Sequence, residues 1–196
     1  GEHYLRDLVK AKIYTQTAAN QTEGYYIKGL NRLCGKVSVL SALVLPSFPK
    51  SRLKFVKEHT EIEEQVEIRN VGFFNFPIIR FISQFYSLEK EFYRLLTTTK
   101  SFDEEVIIIV YSMRLPFLMV ANKMKRKLPK AKIINIIPDL PIYMHTTSRS
   151  FTGRAKAWIN QILLIHEQKT VDGFVLYTKS MKDILHCPED KYIVIE

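Results

Sequence analysis

The chain has 196 residues, 46% of them hydrophobic, and a formal charge of +9. That length suits one domain with a full core or one half of a two-domain enzyme, and a single domain is expected. No apolar run approaches the roughly 18 residues of a membrane span, the amino terminus lacks the basic-then-apolar form of a signal peptide, and two distant cysteines, Cys34 and Cys187, argue against a disulfide framework or a zinc site. A reduced, cytoplasmic compartment fits, with the chain soluble or attached to a membrane surface.

In chain order, Gly1 to Thr17 has no clean period and reads as an irregular start. From Ala18 a helix is predicted, with Ala19, Tyr26, Leu30 and Leu33 on one face and Gly35 as its stop. Asn20 lies early in that helix, where amide donors can meet an anion or a sugar hydroxyl or simply cap the helix. Lys36 to Leu45 is β-branched, is closed by Pro46 and reads as a buried strand. The basic, aromatic SFPKSRLKF that follows is a candidate binding loop. Gln65 to Phe73 is a further strand. Pro77 to Thr97 is a long helix with Ile78, Ile82, Phe85, Phe92 and Leu96 on one stripe and Ile79, Tyr86 and Tyr93 beside it, apolar enough to be wedged in a core or a subunit contact.

Glu105 to Tyr111 is the clearest strand, with Ser112 at its end. Pro116 opens a helix to about Lys127. Lys123, Lys125, Arg126, Lys127, Lys130 and Lys132 cluster on and after it, a patch suited to a polyanion or to a plain solvated face. The next run, KIINII, reads as a strand buried on both faces, and Pro138-Asp139-Leu140-Pro141 ends it. Asp139 therefore sits at a carboxyl strand end, the edge where open α/β sheets bind ligands, or it serves as a turn former. Past the polar TTSRSFTG, residues Phe151, Ala155, Trp158, Ile159, Ile162, Leu163 and His166 form a helical stripe, with Arg149, Arg154 and Lys156 at its start. A crossover helix with this stripe packed on the sheet is expected, which leaves only cations for any anionic surface. The strand Gly173 to Tyr177, a short helix capped by Thr178 and a last strand, Tyr192 to Ile195, complete the pattern.

Strands alternating with helices predict an α/β, Rossmann-like fold, a mostly parallel sheet with helices on both faces. Ending on a buried strand suggests a chain cut from something longer. The motif record is largely negative. There is no Walker loop or GxGxxG among only 7 glycines, no GxSxG elbow, and no short-spaced pair among His3, His59, His145, His166 and His186. Polar groups at strand ends remain, and they suit recognition of a hydroxyl-rich ligand.

Three patches carry a resemblance: TAANQTEGYYIKGL at 17 to 30, IIPDLPIYM at 136 to 144, and DGFVLYTKSMKDIL through DKYIVIE at 172 to 196. In that order and spacing, with the strand after Gly35 and its SFPKS tail, they resemble the amino-terminal domain of glycosyltransferase family 4-like enzymes of the GT-B fold. Such enzymes serve bacterial capsule and exopolysaccharide synthesis. The resemblance implies a retaining, metal-independent sugar transferase without a resident cofactor. Residues 1 to 196 would form its acceptor-side domain, and the nucleotide-sugar donor would bind a carboxyl-terminal domain that this chain lacks. The isolated domain is then expected to be inactive. One departure is that the family opens with a strand before its first loop, which is not seen before Gly1-Glu2-His3-Tyr4.

On this reading Asp139 is the first candidate for contact with a glycan or lipid-linked acceptor, followed by His145, Asn20, Ser112 and Thr178, and no residue is assigned as the catalytic base. Lys123, Lys125, Arg126, Lys127, Lys130, Arg149 and Arg154 are candidates for charge-only contact with an anionic membrane at the inner face of the cell. Two other classes stand beside it. One is a catalytically inactive homologue acting as a binding or scaffold subunit. The other is a nucleic-acid-binding domain, which the lack of interleaved aromatics and of any binding motif in the basic cluster counts against.

Overall fold

The computed structural model describes residues 17–35, 37–63, 66–99, 105–140, 151–185 and 187–195, apart from the side chains of 17–21, 63 and 151–157. The fold is mixed α/β and divides into two compact units, Gly1–Thr99 and Lys100–Glu196.

In the first unit, α1 (Thr17–Cys34) ends where Gly35 adopts a φ of 69° and donates its N–H to Asn31 O at 2.9 Å, the left-handed stop that glycine supplies without a steric penalty. Tyr26 and Leu30 are half-buried, but Leu33, expected on the same face, is exposed. Strand β1 (Ser38–Ser41) runs parallel to β4 (Val66–Asn70), and β4 pairs antiparallel with β3 (His59–Glu63). Strand β3 has no apolar signature, since its one apolar residue, Ile62, is exposed, so its place depends on the ladder with β4. The expected strand from Lys36 to Leu45 stops at Ser41 because its register partner Asn70 ends β4. Beyond that point no partner strand exists among the described residues to take the ladder bonds.

The single strand expected over Gln65 to Phe73 is broken after Asn70. The chain resumes as β5 (Phe73–Phe74), which pairs antiparallel with β2 (Phe55–Val56). Gly72 lies at the break, where a Cβ would stand 2.9 Å from Glu58 N and 3.1 Å from Val56 O, so only a residue without a side chain lets the two segments approach this closely.

Helix α2 (Ile79–Thr99) corrects the expected stripe. Its buried residues are Gln84, Leu88, Glu91 and Leu96, while Ile78, Ile79, Ile82 and Tyr86 are exposed. A polar residue can face inward here because Glu91 lies 3.6 Å from Arg69 of β4 and 3.7 Å from Arg94. Apolar periodicity does not register a buried ion pair.

In the second unit, β6 (Ile107–Tyr111), β7 (Lys132–Ile137), β8 (Gly173–Leu176) and β9 (Tyr192–Val194) form one parallel sheet in that order. Between them run α3 (Leu115–Lys127), α4 (Phe151–Gln168) and α5 (Ser180–Leu185). Pro116 occupies the first turn of α3, where its missing N–H is not needed, and Lys125, Arg126 and Lys127 fill the last turn, where cations favour the helix dipole. Ile133, Ile137, Leu118, Met124, Leu128, Leu164 and Leu176 are fully buried, each contributing about 1.5–3 kcal/mol of transfer free energy.

Helix α4 reverses the expected packing. Its inward line is Leu164, 1% exposed, and Gln168, with Asn160 and Glu167 half-buried beside them, and its packing partner is α3. The stripe expected on the sheet is outside: Trp158 is 65% exposed, Ile159 53%, and Ile162 and Leu163 are exposed with them. Hydrogen bonds allow the polar inward line. Asn122 Nδ2 of α3 donates to Glu167 O at 2.7 Å and to Glu167 Oε2 at 2.6 Å, and Asn122 Oδ1 accepts from Thr170 Oγ1 at 2.5 Å. Among the described residues no helix is long and apolar enough to cross a membrane.

Candidate functional site

The parallel register of the second unit lines up three polar residues at one sheet edge. Tyr111 pairs with Ile136 and Ile137 with Leu176, so Ser112, Asp139 and Thr178 all follow their strands at the carboxyl ends of β6, β7 and β8. Neighbouring strands are roughly 4.8 Å apart. The three residues thus fall within about the span of one or two sugar rings, in the position where α/β sheets present ligands.

Asp139 is exposed between half-buried Pro138 and buried Leu140, and its carboxylate has no hydrogen-bond or ion-pair partner among the described residues. Its place just past the carboxyl end of β7 is the one expected from the sequence.

Ser112 is half-buried and has a φ of 67°, the only positive value among the described residues other than glycine, and its N–H donates to Ile136 O at 2.8 Å. A left-handed serine costs about 1 kcal/mol or more, so the bond to β7 holds it against that preference. Ser112→Gly is expected to raise the unfolding free energy by up to about 1 kcal/mol. Urea unfolding measures this, and a loss of stability would show that the hydroxyl contributes to the fold.

Thr178 is exposed. Its Oγ lies 3.1 Å from Ser180 Oγ, and its carbonyl accepts from Met181 N–H at 3.2 Å. The expected cap thus acts through the main chain, and two hydroxyls stand paired at the strand end. Arg114, at the amino end of α3, lies over the Phe117 ring at 4.4 Å.

The other candidates stand elsewhere. Asn20 belongs to α1 of the first unit, with its side chain outside the described residues, and His145 and Arg149 also fall outside them. Arg154 lies on α4, with its side chain likewise outside. Of the basic cluster, Lys125 is turned inward: its Nζ donates to both Asp172 oxygens at 2.7 Å and to Thr170 O at 2.8 Å. It is therefore an ion-pair partner rather than a surface contact. Lys123 is half-buried, and Arg126, Lys127 and Lys130 are exposed.

In the first unit the SFPKSRLKF loop is pinned rather than loose. Asn75 Nδ2 donates to Pro46 O at 3.0 Å and Leu53 O at 2.9 Å, and Phe48 N–H donates to Asn75 O at 2.8 Å. Arg80 Nη1 donates to Leu45 O at 2.5 Å, and burial lowers the pKa of its guanidinium from the ordinary value. Arg80 thus satisfies the Leu45 carbonyl, which a longer β1 would have paired, and Asn75 ties the two ends of the loop together.

One residue that motif reading passes over is Asn135, the sole polar interruption of the β7 run. It is fully buried between Val110 of β6 and Phe174 of β8, and neither amide atom has a partner among the described residues. A buried amide in that state costs about 1–3 kcal/mol. No three His, Cys, Asp or Glu side chains converge as a metal site among the described residues. Both cysteines are free, and burial pushes the Cys187 thiol up to about 11, which leaves it protonated and unreactive at neutral pH.

Comparison with models of known families finds none that matches the chain, and comparison with curated proteins finds no match either.

Proposed function

We propose that the chain is the acceptor-binding, Rossmann-like part of a GT-B glycosyltransferase that moves a sugar from a nucleotide-sugar donor to a growing glycan. The observation that carries this reading is the edge of the parallel sheet, where an exposed carboxylate without a partner among the described residues lies between the Ser112 turn and the Thr178–Ser180 hydroxyl pair. A carboxylate accepts from two vicinal sugar hydroxyls, and hydroxyls both donate and accept, so the set suits a polyol rather than an anion. The resemblance at 136 to 144 and 172 to 196 adds the enzyme class, capsule or exopolysaccharide synthesis, and a donor held by a carboxyl-terminal companion domain. Cations on and beside α3 and at the start of α4 support a peripheral position at the inner face of the cell membrane, where a lipid-linked acceptor would be met.

Asp139→Asn tests the reading. Retention of bacterial capsular oligosaccharides on a glycan array is expected to fall about tenfold, the effect of losing a charged hydrogen-bond acceptor. The unfolding free energy from urea denaturation should stay within about 0.5 kcal/mol of the parent, because an exposed carboxylate contributes little to folding. Equal losses of binding and stability would make Asp139 a turn residue and remove the main support for the proposal.

A further inference from the structure

The outward face of α4 is an exposed apolar feature that the sugar site leaves unused. Trp158, Ile159, Ile162, Leu163 and Ile165 are all exposed on it, and with 3.6 residues per turn most of them lie opposite the inward line of Asn160, Leu164, Glu167 and Gln168. Its charges are of one sign. The helix has a single acid, Glu167, whose carboxylate accepts from Asn122, whereas positions 154 and 156, an arginine and a lysine, fall on the two flanks of the apolar band and exposed Lys169 follows the last turn.

An exposed apolar band of this kind marks a contact surface, and the flanking charge selects among partners. A second copy laid on it would set cations against cations, whether the two helices ran parallel or antiparallel. An anionic lipid surface meets each part of the face with its complement: headgroups for the flanking cations, the interfacial zone for tryptophan, and acyl chains for the isoleucines.

We infer that α4 lies in the surface of an anionic membrane with Trp158, Ile159 and Ile162 inserted below the headgroups, so that attachment is apolar as well as electrostatic. This deepens the membrane part of the proposed function and is independent of sugar transfer, since vesicle binding needs neither donor nor acceptor.

Trp158 is the sole tryptophan of the chain and reports on the inference directly. Its emission is expected to shift to the blue on vesicles containing phosphatidylglycerol and to be quenched by lipids brominated in the upper acyl chain. At about 1 M salt, where charge attraction is screened beyond roughly 3 Å, at least half of the chain bound at low salt should remain bound. Vesicles of phosphatidylcholine alone should bind it more weakly. The double variant Ile159→Gln, Ile162→Gln should lose about tenfold or more in vesicle partitioning with an unchanged thermal midpoint, because both side chains are exposed in the fold. Four results would overturn the inference: binding with unshifted emission, complete release by salt, no vesicle binding, or a lipid-independent blue shift that grows with protein concentration and marks self-association.

Discussion

Asn122→Ala is expected to lower the unfolding free energy by about 2–4 kcal/mol, because three groups lose a partner in one substitution. The asparagine is buried on α3 and donates to the carbonyl and the carboxylate of Glu167 while it accepts from the Thr170 hydroxyl. Those bonds allow α4 to lay a polar line against α3, and without them the Glu167 carboxylate would lie half-buried and unpaired. The m-value should hold while the urea midpoint falls, since the buried area is little changed. Thr170→Val removes only the hydroxyl and should cost about 1 kcal/mol. A loss below about 1 kcal/mol in Asn122→Ala would show that the two helices are held by Leu164 and its apolar neighbours alone.

Asp172→Ala is expected to cost about 2–3 kcal/mol at neutral pH. Its carboxylate ties three elements together, accepting from Lys125 Nζ of α3 at 2.7 Å and from Ile133 N–H of β7 at 2.8 Å just before β8 begins. Burial pushes the Asp172 carboxyl up, but the bonds from Lys125 and the Ile133 N–H and the charges of Lys125 and Lys132 outweigh it and hold the pKa below 3.8. With the folded-state pKa depressed, the folded chain binds fewer protons than the unfolded chain in the acid range, so this contribution rises with pH there. It is complete well above 3.8 and is lost as pH falls through the lower folded-state value. The parent and Asp172→Ala should therefore differ most at neutral pH and converge in acid, as chemical denaturation at a series of pH values would show. Asp172→Asn, which keeps an acceptor for Ile133 N–H, should fall between them. A difference that did not vary with pH would mean that the charge is not what stabilises.

Parallel strands and helix stops were legible in the chain itself. The short apolar runs at 107–111, 132–137 and 173–176 suit strands of a covered parallel sheet, Gly35 permits a left-handed stop, and Pro116 can begin a helix but not continue one. With parallel connections, those runs suffice to place Ser112, Asp139 and Thr178 on one edge, because each lies within two residues of its strand's carboxyl end.

Which face of a helix turns inward was decided only by the tertiary structure. The stripes on α2 and α4 have the correct period, yet Ile78, Ile82 and Trp158 are exposed while Gln84, Glu91 and Gln168 are buried. Periodicity records which residues share a side of a helix. Which side turns inward depends on partners distant in sequence, here Arg69 for Glu91 and Asn122 for Glu167, which make polar burial tolerable. The same holds for β3 and for the end of β1. Their backbone bonds belong to neighbouring strands and, at Leu45, to the side chain of Arg80, brought together only when the chain folds.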